Sequence, residues 1–397
     1  MKICIVCQNI QTLGGLQVVV TEVAKYLRLT KKADITLLMP KLTGKGCFNL
    51  PQNFPIEIVE LDNFVPVENQ KYKRVIRTLN RNTACFDFQL LVPIMKHMLF
   101  SSMSINRLAE FINTQKFDWV IGTAFNYSLL VAFVSDKVSC KTAGWMHSTF
   151  QGYYGIRGIA YYGLKNVNRK YLKRLDTLFV LNQVDRMNFD KNYGLNSIVL
   201  HNPIQQSSVN TNIHKKGELL FVGRLNKRVK GLDFLVEIMV LLKKDDVDFH
   251  LTVVGFGEDE KWFKERIKEN NLNSNVTFAG FQQNVTPYYE KAYILLSTSR
   301  WEGFGMAIVE AMNAGTPCIS FDHDGACEII DDDESGILIP KYEVGNFKLA
   351  IKTLFSNDDN WEKMSLAAIE HAKKFNVDII AEELYKNLED RLEKEKK

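Results

Sequence analysis

Apolar and polar positions along this chain follow two alternating periods. Short apolar, β-prone runs recur, and most are followed by a stretch whose apolar positions return every three or four residues. The first pattern predicts a buried strand and the second an amphipathic helix. In the first half the predicted strands are Lys2–Cys7, Ile35–Met39, Ile56–Leu61, Trp119–Gly122, Thr142–His147, Thr177–Leu181 and Ile198–Leu200. Helices are expected at Gln17–Leu27, after the Gly14-Gly15 turn, and at Tyr127–Val134. The pattern breaks at Asn202-Pro203, and residues 205–217 are polar with no apolar period, which reads as a linker. It then restarts, with strands at Leu219–Val222, His250–Val254, Val276–Phe278, Ile294–Ser297 and Cys318–Phe321. Helices are predicted between them at Leu232–Lys243, Glu258–Asn270 and Met306–Ala314. The tail is apolar at Ile379, Ile380, Leu384, Leu388 and Leu392, predicting a last helix whose residues 393–397 fray.

Repeated strand–helix units imply parallel sheets with right-handed crossovers. Two such runs about one linker predict an α/β protein of two doubly wound, Rossmann-like lobes facing a central cleft. The expected boundaries are 1–204, 205–375 and a terminal helix at 376–397. Ligands of such sheets bind outside the carboxyl ends of the strands.

Composition agrees with this and removes other classes. The 397 residues are 46% apolar and 24% charged, ordinary for a soluble globular protein and too long for one core. No apolar run reaches the roughly 18 residues of a membrane span, and the quickly polar start does not resemble a secretory signal. A cytoplasmic protein is expected. Of the seven cysteines, Cys4 and Cys7 form a CxxC pair inside an apolar run. Residues three apart on a strand point to opposite faces, so buried free thiols are expected there; Cys318 and Cys327 have no partner motif. Net charge is +4 but unevenly spread: residues 1–200 hold 25 Lys+Arg against 13 Asp+Glu, and the remainder 25 against 33. The first half therefore carries +12 and the second −8. A basic first lobe suits an anionic partner.

Candidate chemistry concentrates in the second half. The run Ser297-Thr298-Ser299-Arg300-Trp301-Glu302-Gly303-Phe304-Gly305-Met306 reads as a strand entering a Gly-flanked turn that opens a helix. Glycines let a ligand approach the backbone, and the first turn of a helix attracts anions. Glu302 precedes that helix and Glu310 lies about one turn inside it, so two carboxylates can face one ligand and accept hydrogen bonds from vicinal hydroxyls. Arg224 and Lys230 follow a strand's carboxyl end and suit a diphosphate, with Lys227 and Arg228 as competitors for the second role. In the first half, Gly14-Gly15 does not match the dinucleotide glycine fingerprint, which argues against a dehydrogenase. His147 is expected at the end of its strand.

The two glutamates are separated by seven residues, with Gly-Phe-Gly after the first and Ala311-Met312-Asn313-Ala314-Gly315-Thr316-Pro317 after the second. This resembles the retaining glycosyltransferases of family four, which have the GT-B fold, and among them those of bacterial surface polysaccharides. Phe221-Val222-Gly223-Arg224-Leu225 with Lys230-Gly231 resembles that family's phosphate-binding segment. Val253-Val254-Gly255-Phe256-Gly257 and Phe278-Ala279-Gly280-Phe281 resemble its nucleotide-side loops, and Gly325, Glu328-Ile329-Ile330 and Gly336–Ile339 its closing segment. The resemblance runs from about Leu219 to Pro340. It implies an acceptor-side first lobe, a second lobe binding a nucleotide sugar, a terminal helix crossing back to the first lobe, and hexosyl transfer with retention, without metal or other cofactor. It assigns Glu302, His147, Arg224 and Lys230 to catalysis. Donor binding would fall to Gly14, Gly15, Arg224, Lys230, Phe281, Glu302, Gly303, Phe304, Gly305 and Glu310.

A UDP-hexose or UDP-N-acetylhexosamine is the favoured donor, with a GDP-sugar open, and a glycan or lipid-linked acceptor is expected. Tyr153–Arg174 holds six cations, five tyrosines and no acid, and Lys71, Lys73, Arg74, Arg77 and Arg81 form a second basic run. Both suit an anionic membrane surface, placing the protein at the inner face of the cell membrane. No nucleic-acid motif accompanies the charge. Three other readings stay open: a non-catalytic nucleotide-sugar binder, transfer to a soluble protein, and a metal-dependent transferase, since Asp322-His323-Asp324 fits a DxD pattern.

Overall fold

The structure is a computed structural model that describes residues 1–12, 14–41, 53–61, 71–155, 157–158, 161–206 and 214–394, apart from the side chains of 71–73. The middle of the predicted linker (207–213), the last three residues of the expected fraying tail, and the side chains of Lys71 and Lys73 lie outside these. The described chain divides into two compact units, Met1–Pro203 with Val377–Lys397, and Ile204–Asn376.

The first unit is built on seven strands: β1 Lys2–Val6, β2 Asp34–Pro40, β3 Glu57–Leu61, β4 Trp119–Thr123, β5 Lys141–Trp145, β6 Thr177–Val180 and β7 Ile198–Val199. They form one sheet in the order β3-β2-β1-β4-β5-β6-β7, every pair parallel. The inner strands β1, β2, β4, β5 and β6 are buried on both faces, which is why they read as continuous apolar runs and not as alternating ones. Helix Ala124–Val134 is apolar nearly all round and buried from Phe125 through Val134 apart from Asn126. Cys4 and Cys7 are buried free thiols, and burial pushes the Cys7 thiol up to about 12.

Two expectations about this unit need correction. Strand β5 ends at Trp145, so His147 sits two residues beyond it. Met146 N–H still donates to Phe179 O (2.8 Å), but the chain then turns into the short helix Phe150–Tyr154, capped by Thr149. Nor do most of the tyrosines of Tyr153–Arg174 line a surface. Tyr153, Tyr154 and Tyr171 are buried, and Tyr161 stacks on Phe125 at 3.6 Å. An amphipathic ring is as good a core residue as an interfacial one, and composition does not say which way it faces.

The tail helix, Val377–Glu393, completes this unit. It buries Ile380, Ala381, Leu384 and Leu388, and Leu388 O accepts from Trp119 Nε1 (3.1 Å). Lys31 pairs with Glu382 beside it (2.5 Å).

The second unit holds β8 Glu218–Val222, β9 His250–Val254, β10 Val276–Gly280, β11 Ile294–Ser297, β12 Cys318–Phe321 and β13 Gly336–Ile339. They pair in parallel in the order β10-β9-β8-β11-β12-β13. Sequence order runs outward from β8 to β10, then returns to the other side of β8 at β11. The chain leaving β8 and the chain leaving β11 therefore cross to next strands on opposite sides, and the crevice in which such sheets take ligands lies at this reversal. In the first unit the same reversal lies between β1 and β4.

Leu384 and Leu388 are fully buried, so truncating either removes apolar contacts and leaves a cavity. Leu388→Ala is expected to destabilise the first unit by about 2–5 kcal/mol. Hydrogen exchange of the β1 and β4 amides should report the loss, and unchanged protection there would show that the tail adds nothing to this core.

Candidate functional site

The loop after β8 and the loop after β11 meet around one buried ion pair. Asn226 caps the four-residue helix Lys227–Lys230, its Oδ1 accepting from Val229 N–H (2.7 Å). Gly231 ends that turn at φ 62°, and a Cβ there would lie 2.0 Å from Thr298 O, so the position tolerates no side chain. Thr298 Oγ1 donates to Lys230 O (2.9 Å), and Arg300 N–H donates to Val229 O (2.8 Å). The stitched loops bring Lys230 Nζ to 2.8 Å from Glu302 Oε1, with the side chains only 17% and 16% exposed. Ser299 Oγ donates to the same carboxylate oxygen.

Burial alone would raise the Glu302 carboxyl. The Lys230 ammonium, the neighbouring His323 and the hydrogen bonds from Lys230 and Ser299 outweigh it and hold the group at about 2. Glu302 is therefore a permanent anion in a largely dry site. Of the three ammonium protons of Lys230, Glu302 takes one.

Three groups that sequence reasoning left unassigned build this centre. Arg300 grips Asp233 with a two-pronged bond (2.9 and 2.6 Å), donates to Lys227 O (3.0 Å) and lies over the Phe234 ring. It locks the helix after β8 to the loop after β11. Its place inside the Glu302 motif was the only sequence signal. His323 is buried and caps helix Asp324–Ile329, its Nδ1 accepting from Ala326 N–H (3.1 Å). That bond puts the proton on Nε2, which has no hydrogen-bond partner among the described residues, and burial pushes the imidazole down to about 4. The middle residue of the DxD-like triplet is thus spent on the cap. Gly325, which follows, lies against the Phe304 carbonyl: a Cβ there would come within 2.2 Å of it. Tyr289, also buried, donates to Glu310 Oε2 (2.7 Å), while burial raises the Glu310 carboxyl.

The other candidates in this unit lie around the pair. Arg224 is mostly exposed and ion-paired through Nε with Glu258 Oε2 (3.1 Å), and Asn226 donates to the other oxygen of that carboxylate. Gly303-Phe304-Gly305 leads into helix Met306–Asn313, Phe304 buried against Phe375 and Gly305 at φ 114°. Phe281 is exposed and meets the Phe256 ring edge-on at 5.8 Å. Lys227 lies over the Trp262 ring at 4.4 Å, while Lys230 is the cation that meets Glu302.

The first unit carries its own candidates. Gly14 and Gly15 open helix Gly15–Thr30 after β1, and Gln17 Nε2 donates to Thr12 Oγ1 (2.9 Å), bracing the turn. His147 Nδ1 lies 3.2 Å from Asn202 Oδ1, and its buried Nε2 has no hydrogen-bond partner among the described residues. Burial, partly offset by Asn202, pushes His147 down to about 3, so the ring is neutral and turns a lone pair to Nε2.

Glu302 is expected to titrate near 2 by carboxyl NMR. A depressed carboxyl stabilises the fold fully above its unfolded value and loses that contribution as pH falls through its folded value. The stability at stake, about 3 kcal/mol, should disappear between pH 5 and 2. Lys230→Met should move the Glu302 midpoint up by more than one unit; an unmoved midpoint would mean that the ion pair does not set it. Tyr289→Phe should raise the Glu310 midpoint further and cost about 1–3 kcal/mol, read by urea unfolding.

Comparison with known proteins bears on the unit just described. A family model described as Glycosyl transferases group 1 matches residues 204–375. The poly(glycerol-phosphate) alpha-glucosyltransferase of Bacillus subtilis is 30% identical over 187 residues, 46% of this chain and 28% of that protein. An N-acetylgalactosamine-N,N'-diacetylbacillosaminyl-diphospho-undecaprenol 4-alpha-N-acetylgalactosaminyltransferase of Campylobacter jejuni is 30% identical over 194 residues, 49% of this chain and 52% of that protein. This chain thus spans between about a quarter and a half of the length of these relatives. Among solved structures, HepE of Anabaena in complex with UDP and glucose superposes with a TM-score of 0.75 at 16% identity, over 98% of this chain and 100% of that one, a likeness of fold. The family match coincides with the unit that holds Lys230, Glu302 and Glu310: residues 204–375 match the group 1 glycosyltransferases, and the chain shares the GT-B fold.

Proposed function

We propose that this protein transfers a hexose or N-acetylhexosamine from a UDP-sugar to a glycan or lipid-linked acceptor in cell-surface polysaccharide synthesis, with retention of anomeric configuration and without a bound metal. The observation that carries the reading is the buried Lys230–Glu302 pair at the sheet's reversal point. A nucleotide diphosphate sugar needs a fixed cation beside the leaving phosphate and a fixed acceptor for sugar hydroxyls. Here one ion pair holds both at once, already oriented before any ligand arrives, as electrostatic catalysis requires. Two ammonium protons of Lys230 remain for phosphate oxygens, and the exposed Arg224 fork exchanges Glu258 for the diphosphate.

In this reading Glu310, braced by Tyr289, accepts from the ribose hydroxyls. Glu302, with the Phe304 and Gly305 backbone, orients the sugar. The roles left to the first unit are a sugar contact for neutral His147 and a close backbone approach at Gly14-Gly15. Retention is supported by chemistry: common UDP-hexoses carry the sugar in the α configuration, and both relatives above are named for α-linked products. The Campylobacter relative is also named for an acceptor on diphospho-undecaprenol, which supports a lipid-linked acceptor and work at an anionic membrane surface.

Lys230→Ala and Arg224→Ala should each weaken UDP binding by about 1.5–3 kcal/mol in calorimetry, the range for hydrogen bonds to charged groups. Glu302→Ala should lower turnover far more than UDP affinity. The product's anomeric coupling in NMR should show retention, and transfer should persist in EDTA. Unchanged affinity for both UDP and GDP in the two cation variants would remove the donor assignment, and an inverted product would remove the mechanism.

A further inference from the structure

The first unit exposes several large apolar side chains along one stretch of chain. Val75, Leu79, Phe88, Leu90, Ile94 and Met103 all face solvent, Leu90 at 90% and Phe88 at 62% exposure. Helix Lys71–Thr83 turns inward with Asn80, which donates to Gly163 O and accepts from Phe86 N–H. Its outer positions are Val75 and Leu79, one turn apart, with Arg74 and Arg81 exposed on the same helix. Among its described side chains there is no acid. Helix Val92–Leu99 buries Val92, Met95 and Leu99, yet exposes Pro93 and Ile94, with Leu90 one turn before Ile94. A helix apolar on both faces is ordinarily buried on both, and the exposed apolar side of Val92–Leu99 marks an interaction site.

We propose that residues 74–103 are a bilayer-docking surface that seats in the interface of an anionic membrane. Charge decides between a bilayer and a second copy of the chain. The stretch carries Arg74, Arg77 and Arg81, with Lys96 turned over the Phe133 and Tyr171 rings, against Asp87 alone, and Asp87 is taken up by the Lys165 and Asn166 amides. Within a unit of +12 over its first 200 residues, apposing two such faces sets like charge against like. An anionic headgroup layer supplies the opposite sign, and apolar side chains flanked by arginines suit its depth. The surface lies outside Tyr153–Arg174, of whose tyrosines Tyr153, Tyr154 and Tyr171 are in the core, and the membrane as partner belongs to the function proposed above. The docking residues are argued from their own exposure.

The test is flotation of the full chain with vesicles of phosphatidylcholine alone and with 30% phosphatidylglycerol, at low and high salt. The wild type should float with the anionic vesicles and less so in salt. Leu90→Glu with Ile94→Glu should reduce the bound fraction at least tenfold, and Arg74→Glu with Arg81→Glu should reduce it on anionic vesicles only. Both variants change exposed side chains and should keep the wild-type melting temperature and UDP affinity. UDP affinity is measured separately, so loss of nucleotide binding with retained flotation would count against the proposed activity alone. Flotation unchanged by Leu90→Glu with Ile94→Glu would overturn the docking surface. So would concentration-dependent dimerisation abolished by that variant, which would give the face to a second copy.

Discussion

The second unit is organised around a cation and an anion that can neither be left apart nor moved easily. Lys230 and Glu302 are 72 positions apart in sequence and 2.8 Å apart in space. A buried ion pair gains little net stability over an apolar pair, but breaking it leaves an uncompensated charge and is strongly destabilising. Everything near it serves to hold it. Gly231 lets the β8 loop lie against the Thr298 backbone, Arg300 ties that loop to Asp233 and Lys227, and Ser299 takes up a further share of the carboxylate. Sheet order supplies the rest, since β8 and β11 are neighbours whose connections leave in opposite directions.

Much of this was legible in the sequence because strands buried on both faces announce themselves as apolar runs. The strands at His250–Val254, Ile294–Ser297 and Cys318–Phe321 have the predicted bounds, and most others differ by a residue or two. Helices were read less completely. Phe150–Tyr154, Lys165–Tyr171 and Val92–Leu99 escaped because their apolar residues face a core on one side and an aromatic neighbour or solvent on the other, which blurs the period. Strand β13 was quoted only as part of a resemblance, its four residues too short to stand out.

The site was legible in its ends and illegible in its middle. Glu302, Lys230 and Glu310 are marked by glycines beside them and by their spacing. Arg300–Asp233, Tyr289–Glu310 and the buried His323 are partnerships across 67, 21 and, for His323 Nδ1, three residues. No local pattern specifies the longer ones, and an N-cap histidine looks like any other. The tyrosines of Tyr153–Arg174 mislead for the same reason: a count of side chains carries no direction.

The first unit is interrupted in sequence. Its core is closed by Leu384 and Leu388, which follow the whole of the second unit in the chain. On the ribosome, residues 1–203 therefore emerge with an apolar groove along helix Gly15–Thr30 and β4 that nothing can fill until the last helix has been made. At roughly 5–20 residues per second, synthesis of the intervening 204–376 takes about 10–35 s. The second unit, continuous in sequence, can fold first although it is made second. The nascent first unit must meanwhile be shielded or stay open. Its late closure makes the Val377–Glu393 helix the step that commits this unit, and a product broken off before it would leave the ribosome with its first core unsealed.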